Sequence, residues 1–309
     1  MRVFLTGATG FLGAHTLAAM HAGGHTCAVL ARPETDPWRI ADLLSATTVI
    51  SGSLEDTAGF ATVLRDFAPD TVLNLAWSGV DSTLHNDPRQ PDNLAYAEAF
   101  IDVCAAAGAK HWIGLGSQAE YGPCEHAVSE SQPTRPLSAY GRAKLAVCHH
   151  AEKACARHNI RFAWLRLFSC YGPMDKETWL IPSIIRTLLA GREPELTAGL
   201  QRWDYLFAPD AAEAILRVAE QPDAQGVFNL GSGTAIPVRD IAERIRDLID
   251  PDLPLGLGKI AYPDNPVMLL QADISRLRDA TGWRPVMTLD DGLRATVDWF
   301  RAHPSAGTG

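Results

Sequence analysis

The chain opens with Val3-Phe4-Leu5, followed at once by Thr6-Gly7-Ala8-Thr9-Gly10-Phe11-Leu12-Gly13. Val3–Leu5 is short and wholly apolar, as a strand buried on both faces must be. Phe11–His21 carries an amphipathic helical pattern. Between them Gly7 can take a tight turn, Gly10 lets backbone N–H groups approach a pyrophosphate, and Gly13 lets the helix pack close to the strand. The helix N-terminus adds partial positive charge. Strand, glycine turn and helix in this order predict a dinucleotide-phosphate site made by Gly7, Thr9, Gly10, Phe11, Leu12 and Gly13.

The alternation continues beyond this loop. Cys27–Leu30, Thr48–Ile50, Thr71–Leu75, His111–Leu115 and Phe162–Leu167 read as buried strands, and Ala58–Phe67, Asn93–Ala107 and Ala139–His158 as amphipathic helices. Gly23-Gly24 and Gly108 stand where helices should stop. The pattern predicts an α/β fold, a doubly wound parallel sheet of the Rossmann type. After Ser169 the alternation breaks. A helix around Ile181–Leu189, a returning strand at Val227–Leu230, a helix at Val238–Leu248, a Pro/Gly-rich stretch at Pro251–Pro266 and a last helix near Leu289–Phe300 follow. We expect 1–169 plus about 206–235 to form the dinucleotide-binding domain. The remainder, 170–205 plus 236–309, should form a smaller substrate lobe over the carboxyl edge of the sheet.

Composition narrows the ligand. A formal charge of −9 argues against a nucleic-acid surface but permits a small phosphorylated molecule, whose pocket needs few cations. The six cysteines scatter without a CxxC pair and read as buried hydrophobes, so neither a metal site nor a disulfide framework is expected. No apolar stretch approaches the ~20 residues of a membrane span. The apolar run at Val3 leaves no room for a signal segment, and a cytoplasmic setting without a membrane partner is the expectation.

Two further stretches carry chemistry. The second strand ends Val29-Leu30-Ala31-Arg32, without the carboxylate that would bind a ribose 2′-hydroxyl. A guanidinium can instead bind a 2′-phosphate, so NADP(H) is favoured over NAD(H). Tyr140-Gly141-Arg142-Ala143-Lys144 places a phenol and an ammonium four residues apart on one helical face. A neighbouring cation should lower the tyrosine's pKa, making Tyr140 a general acid for carbonyl reduction or a base for alcohol oxidation.

The GxxGxxG spacing at Gly7, Gly10 and Gly13, with Tyr140 and Lys144, resembles the extended short-chain dehydrogenase/reductase family, in its sugar-nucleotide-modifying branch. Gly116-Ser117-Gln118-Ala119-Glu120-Tyr121-Gly122 is similar to that family's serine/threonine loop, and the resemblance implies that Ser117 holds the substrate oxygen. It also places Ala76 and Trp77, in Asn74-Leu75-Ala76-Trp77, by the nicotinamide ribose, and Asn93, which opens the next helix, on the cofactor. Leu165 to Pro173 resembles the family's LRxFNxYGP segment, Trp203-Asp204-Tyr205 with Asp210 its RDY…D element, and Gly282-Trp283-Arg284-Pro285 its GWxP turn. The implied substrate contacts are Gln118, Ser169, Arg202 and Trp203, on a nucleotide sugar, in a homodimer packed through Asn93–Ala107 and Ala139–His158.

Departures from the family pattern matter as much. Dehydratases of this branch place Asp then Glu after the catalytic hydroxyl residue, where this chain has Gln118 and Ala119. An amide cannot donate a proton as an acid does, and alanine cannot act as a base, so 4,6-dehydration is not expected. Reduction of a 4-keto-6-deoxy nucleotide sugar with NADP(H) is the leading expectation, with 4-epimerisation on retained NAD as the alternative. A non-catalytic NADP sensor is a third reading, opposed by Ser117, Tyr140 and Lys144. Arginines usual in the family are replaced by Trp203 and Tyr262, leaving Arg202 or Arg186 to supply charge.

Overall fold

A computed structural model describes residues 1–304. From the N-terminus come β1 (Arg2–Thr6), α1 (Phe11–Ala22), β2 (Thr26–Ala31), β3 (Thr47–Ser51), α2 (Ala61–Phe67), β4 (Thr71–Asn74), α3 (Asp92–Ala106), β5 (His111–Ser117), α4 (Ala139–Arg157) and β6 (Arg161–Leu167). Then follow β7 (Ser169–Tyr171), α5 (Leu180–Leu189), β8 (Glu195–Leu196), β9 (Arg202–Phe207), α6 (Ala208–Glu220), β10 (Gly226–Leu230) and β11 (Ala235–Pro237). Last are α7 (Val238–Ile249), β12 (Gly256–Leu257), β13 (Leu269–Leu270), α8 (Ser275–Thr281) and α9 (Leu289–Ala302).

Seven strands form one parallel sheet in the order β10-β6-β5-β4-β1-β2-β3. The chain builds outward from β1 to β3, then reverses and builds from β4 the other way, so the crevice for a ligand lies at the carboxyl ends of β1 and β4. The inner strands are buried on both faces, successive residues pointing to opposite sides, while β3 at the sheet's edge is largely exposed. Leu5, Val29, Leu73 and Leu165 pack with Leu17 and Met20 of α1 and Ile215 and Val218 of α6. On the other face Phe4, Phe100, Trp112 and Trp164 pack with α2, α3 and α4.

After β6 the chain leaves the sheet, and β9 becomes the centre of a second one, paired with β7, β11 and β13. A separate apolar cluster joins α5, α7 and α9 through Ile184, Ile185, Ile241, Ile245, Leu293 and Phe300. No helix of the described residues is long and apolar enough to cross a membrane.

The sequence pattern missed α6. Its Pro209 reads as a breaker but sits in the helix's first turn, where no N–H is needed, and its alanines are buried nearly all round between α1 and β9. The stretch expected as one helix over 58–67 divides into a 3₁₀ turn, Ala58–Phe60, and α2.

Candidate active site

The glycine loop is fixed by close approach. Gly7 lies at φ +75°, and a Cβ there would come 2.8 Å from the Ala76 nitrogen on β4's exit. A Cβ at Gly13 would come within 1.9 Å of the Gly7 carbonyl, so α1 meets the loop at a distance only glycine permits. Thr6 Oγ1 donates to Asn74 Oδ1 at 2.7 Å and accepts from the Ala76 N–H at 3.2 Å, locking the two strand ends together. The first N–H groups of α1, at Phe11, Leu12 and Gly13, have no intrahelical acceptor, and Gly10 supplies no capping side chain. Those donors and the positive helix end form a cradle that a pyrophosphate fits. Thr9 borders it, its carbonyl 3.5 Å from the Arg39 guanidinium.

Ser117, Tyr140 and Lys144 come together from two elements. Ser117 ends β5, and Tyr140 and Lys144 lie one turn apart on α4, all three buried. The Tyr140 hydroxyl is near enough to the Ser117 side chain to feel it, which opposes the rise of its pKa. Lys144 Nζ donates to the Leu115 carbonyl at 2.7 Å and lies 3.8 Å from the centre of the Trp77 ring. One expectation is corrected here. Burial, not a cation, dominates the phenol, pushing Tyr140 up to about 12 against the opposing influence of the nearby Ser117 side chain. Lys144 is buried as well and brought down to about 7, and its Nζ stands 5.8 Å from the phenol ring centre. Desolvation penalises both charged forms, which the four-residue spacing alone could not reveal.

Glu120 holds the serine in place. Ser117 caps the short turn Gln118–Glu120, and Glu120 Oε1 accepts in return from the Ser117 N–H at 2.9 Å. The same carboxylate accepts from Trp164 Nε1 at 2.9 Å and pairs with Arg166 Nε at 2.7 Å. The Arg166 guanidinium lies over the Tyr121 ring, and Tyr121 donates through its hydroxyl to Asn229 at 2.7 Å. Fully enclosed and spent on these partners, Glu120 is not free to replace the acid absent at Gln118 and Ala119. Gln118 itself is half-buried beside Ser117.

The loop after β4 wraps the other side. Trp77 meets Tyr140 edge-on at 5.9 Å and donates to Gln90 Oε1 at 3.0 Å. Asn93, expected on the cofactor, is buried at the start of α3 with its amide spent on the Ser78 backbone and the Gln90 carbonyl. It positions this loop, because a buried amide takes the nearest backbone partners.

Arg32 follows β2 and is exposed, with Nε 3.6 Å from Glu34. It lines a groove shared with Glu34, Glu55 and Asp56, one guanidinium among three carboxylates. In the second sheet, Arg202 donates to the Ala235 carbonyl and Trp203 Nε1 to the Val267 carbonyl at 2.8 Å, while Ser169 opens β7 half-buried. Arg186 is corrected as a source of charge for the site. Its guanidinium is spent on Glu177 and on the Phe300 and His303 carbonyls. Tyr262 bonds Gln201 and the Leu200 N–H. Two other motifs are structural: Asp204 accepts from the Ser232, Gly233 and Ala272 N–H groups, and Asp210 from those of Val286 and Met287.

Solved structures share this architecture end to end. UDP-glucose 4-epimerase of Thermotoga maritima, solved with UDP-glucose, superposes with a TM-score of 0.89 at 21% identity, over 99% of this chain and 100% of its own. UDP-glucose 4-epimerase of Thermus thermophilus, solved with NAD, gives 0.87 at 23% over 97% and 99%. MoeE5, in complex with UDP-glucuronic acid and NAD, gives 0.84 at 26% over 98% and 99%. The model of the NAD dependent epimerase/dehydratase family matches residues 3–231. With its glycine-loop crevice and parallel sheet, this chain belongs to the NAD dependent epimerase/dehydratase family.

Proposed function

We propose that the chain is a nucleotide-sugar 4-epimerase working with NAD, Tyr140 moving the proton of the sugar hydroxyl and Ser117 holding that oxygen. The observation that carries the reading is the buried trio Ser117, Tyr140 and Lys144, whose neighbouring carboxylate Glu120 is spent on the Ser117 N–H, Trp164 and Arg166. Such a site can add and remove one proton at a carbinol, but has no acid and base to expel water. A bound nicotinamide nucleotide supplies the hydride acceptor and donor. Gly7, Thr9, Gly10, Phe11, Leu12 and Gly13 would hold its pyrophosphate, with Ala76, Trp77 and Lys144 at its nicotinamide end. Gln118, Ser169, Arg202 and Trp203 would face the sugar nucleotide.

The Arg32 groove bears on the cofactor. A 2′-phosphate there would meet Glu34, Glu55 and Asp56, whereas a ribose hydroxyl can donate to a carboxylate. That favours NAD, as in the complexes of the Thermus enzyme and MoeE5. A second reading, NADP(H)-dependent keto-sugar reduction, is favoured by the exposed Arg32, whose loose surface pair costs little to break. As partner of the chain we propose a second copy, docked through α3 and α4.

The test begins with the nucleotide released from the purified, denatured protein. It continues with NMR of UDP-glucose and UDP-glucuronic acid after incubation. Retained NAD and appearance of the 4-epimers without accumulation of reduced nicotinamide is the expected result. Stoichiometric consumption of NADPH by a 4-keto-6-deoxy nucleotide sugar would replace it with the reductase, and failure to bind either nucleotide would remove both.

A further inference from the structure

His85 lies in the loop between β4 and α3, outside every motif described above, yet its imidazole is stacked on the ring of Tyr140. The two ring centres are 4.4 Å apart and the planes differ by 4°. Trp77 closes on the same phenol edge-on, so the ring is held on one face and at one edge by aromatic groups.

The backbone locks this stack. Tyr140 is the second residue of α4, where a helix leaves its N–H groups without intrahelical acceptors. The Tyr140 N–H donates to the His85 carbonyl at 2.8 Å, and the Ala139 N–H to Asn86 Oδ1 at 3.1 Å. Ser138 caps the Gly141 N–H at 3.0 Å. This contrasts with α1, whose first turn has no side-chain cap. The loop is itself anchored, since the buried Gln90 amide donates to the Gly79 and Leu84 carbonyls and Asn93 clasps Ser78. His85 Nε2 lies 3.2 Å from the Val80 carbonyl. With Nε2–H donating there, the ring's rotation about χ2 is fixed. His85 thus reaches Tyr140 through main chain and side chain together.

We infer that His85 is a positioning residue for Tyr140, its flat face packing against the phenol and keeping the ring from tilting or shifting, so that the hydroxyl stays beside Ser117. The assignment rests on Tyr140 being the proton-transfer group. It needs no charge on the imidazole, so a phenyl ring should replace it. Proton transfer loses steeply with small errors of position, so loss of the stack should act on turnover more than on substrate affinity.

Two measurements separate this from the functional proposal. In protein labelled at the tyrosine ring ε carbons, with the Tyr140 signals assigned by Tyr140→Phe, the wild type and His85→Phe should each show two ε resonances for a ring that flips slowly. His85→Ala should merge them into one. His85→Leu, which keeps bulk without a flat face, stands in should the alanine variant melt early. On any nucleotide sugar the protein turns over, His85→Ala should lower kcat by about 10- to 100-fold with KM within about twofold, and His85→Phe should restore it. A single averaged signal in the wild type, or two resonances surviving in both His85→Ala and His85→Leu, overturns the inference. A loss of turnover that His85→Phe does not rescue overturns it too. If no nucleotide sugar is turned over, the functional proposal fails while the ring-flip measurement still decides the role of His85.

Discussion

At the scale of single residues, Lys144 shows how burial and function oppose each other. Its amine loses bulk hydration on folding and recovers the Leu115 carbonyl and the face of Trp77. Unfolded, the amine titrates near its ordinary 10.5; folded, near about 7. Between those values the unfolded chain holds a proton that the folded chain lacks, so stability rises with pH across that window. The span corresponds to about 5 kcal/mol as an upper bound. Lys144→Met should therefore flatten the rise of the apo-protein's melting temperature between neutral and alkaline pH, while destroying activity. An unchanged slope would mean that the amine is hydrated. Tyr140→Phe removes only the transferable proton. It should lower turnover by about 10²- to 10⁴-fold and leave the cofactor dissociation constant within about twofold, as a fluorescence titration would read.

At the scale of elements, the Ser117 hydroxyl is as well placed as the seam between β5 and β6. Those strands are paired so that Gly116 stands beside Arg166 and Ser117 beside Leu167. A Cβ at Gly116 would strike the Trp164 indole at 2.2 Å and the Glu120 carboxylate at 2.6 Å, so the strand is glycine where the ion pair crosses it. Glu120→Gln removes the counter-charge of the buried Arg166 and should cost about 3–5 kcal/mol in chemical denaturation. It should also lower kcat, because the turn that Ser117 caps loses its return hydrogen bond. A cost below about 1 kcal/mol would mean that Arg166 finds water instead.

At the scale of the whole molecule, the strand–helix alternation from Val3 to Leu167 was legible because the inner strands are apolar on both faces and the helices between them carry a helical period. The small second sheet was not, since three of its four strands, β7, β11 and β13, are only two or three residues long and leave no period to read. The loop from Gly172 to Lys176 ties the two parts together. The Pro173 carbonyl meets His15 Nε2 at 2.9 Å, the Met174 carbonyl accepts from Arg39 at 3.0 Å, and Lys176 pairs with Asp81 at 2.8 Å. Trp38 stacks on Trp299 of α9 at 6.3 Å. These contacts join α1, the segment after β2 and the loop after β4, which surround the glycine cradle. Arg39→Met should speed release of a bound nicotinamide nucleotide by about 5- to 30-fold, equivalent to about 1–2 kcal/mol, in a stopped-flow displacement. Lys176→Ala, breaking a more exposed pair, should change it by less than about threefold. Equal rates in wild type and Arg39→Met would show that the loop does not retain the nucleotide.

The sequence alone determined the sheet's composition, the glycine cradle and the pairing of Tyr140 with Lys144, because each depends on residues near one another along the chain. Periodicity, close backbone approach and helical spacing are local constraints. Tertiary structure decided which way the charges fell: the phenol high and the amine low through burial, Arg32 set among three carboxylates, Arg186 spent inside the lobe, and Glu120 sealed against Arg166. It also brought His85 onto Tyr140 from 55 positions away, out of a polar loop with no periodicity. Desolvation and charge pairing depend on everything within a few ångströms, and that neighbourhood exists only after distant segments have packed.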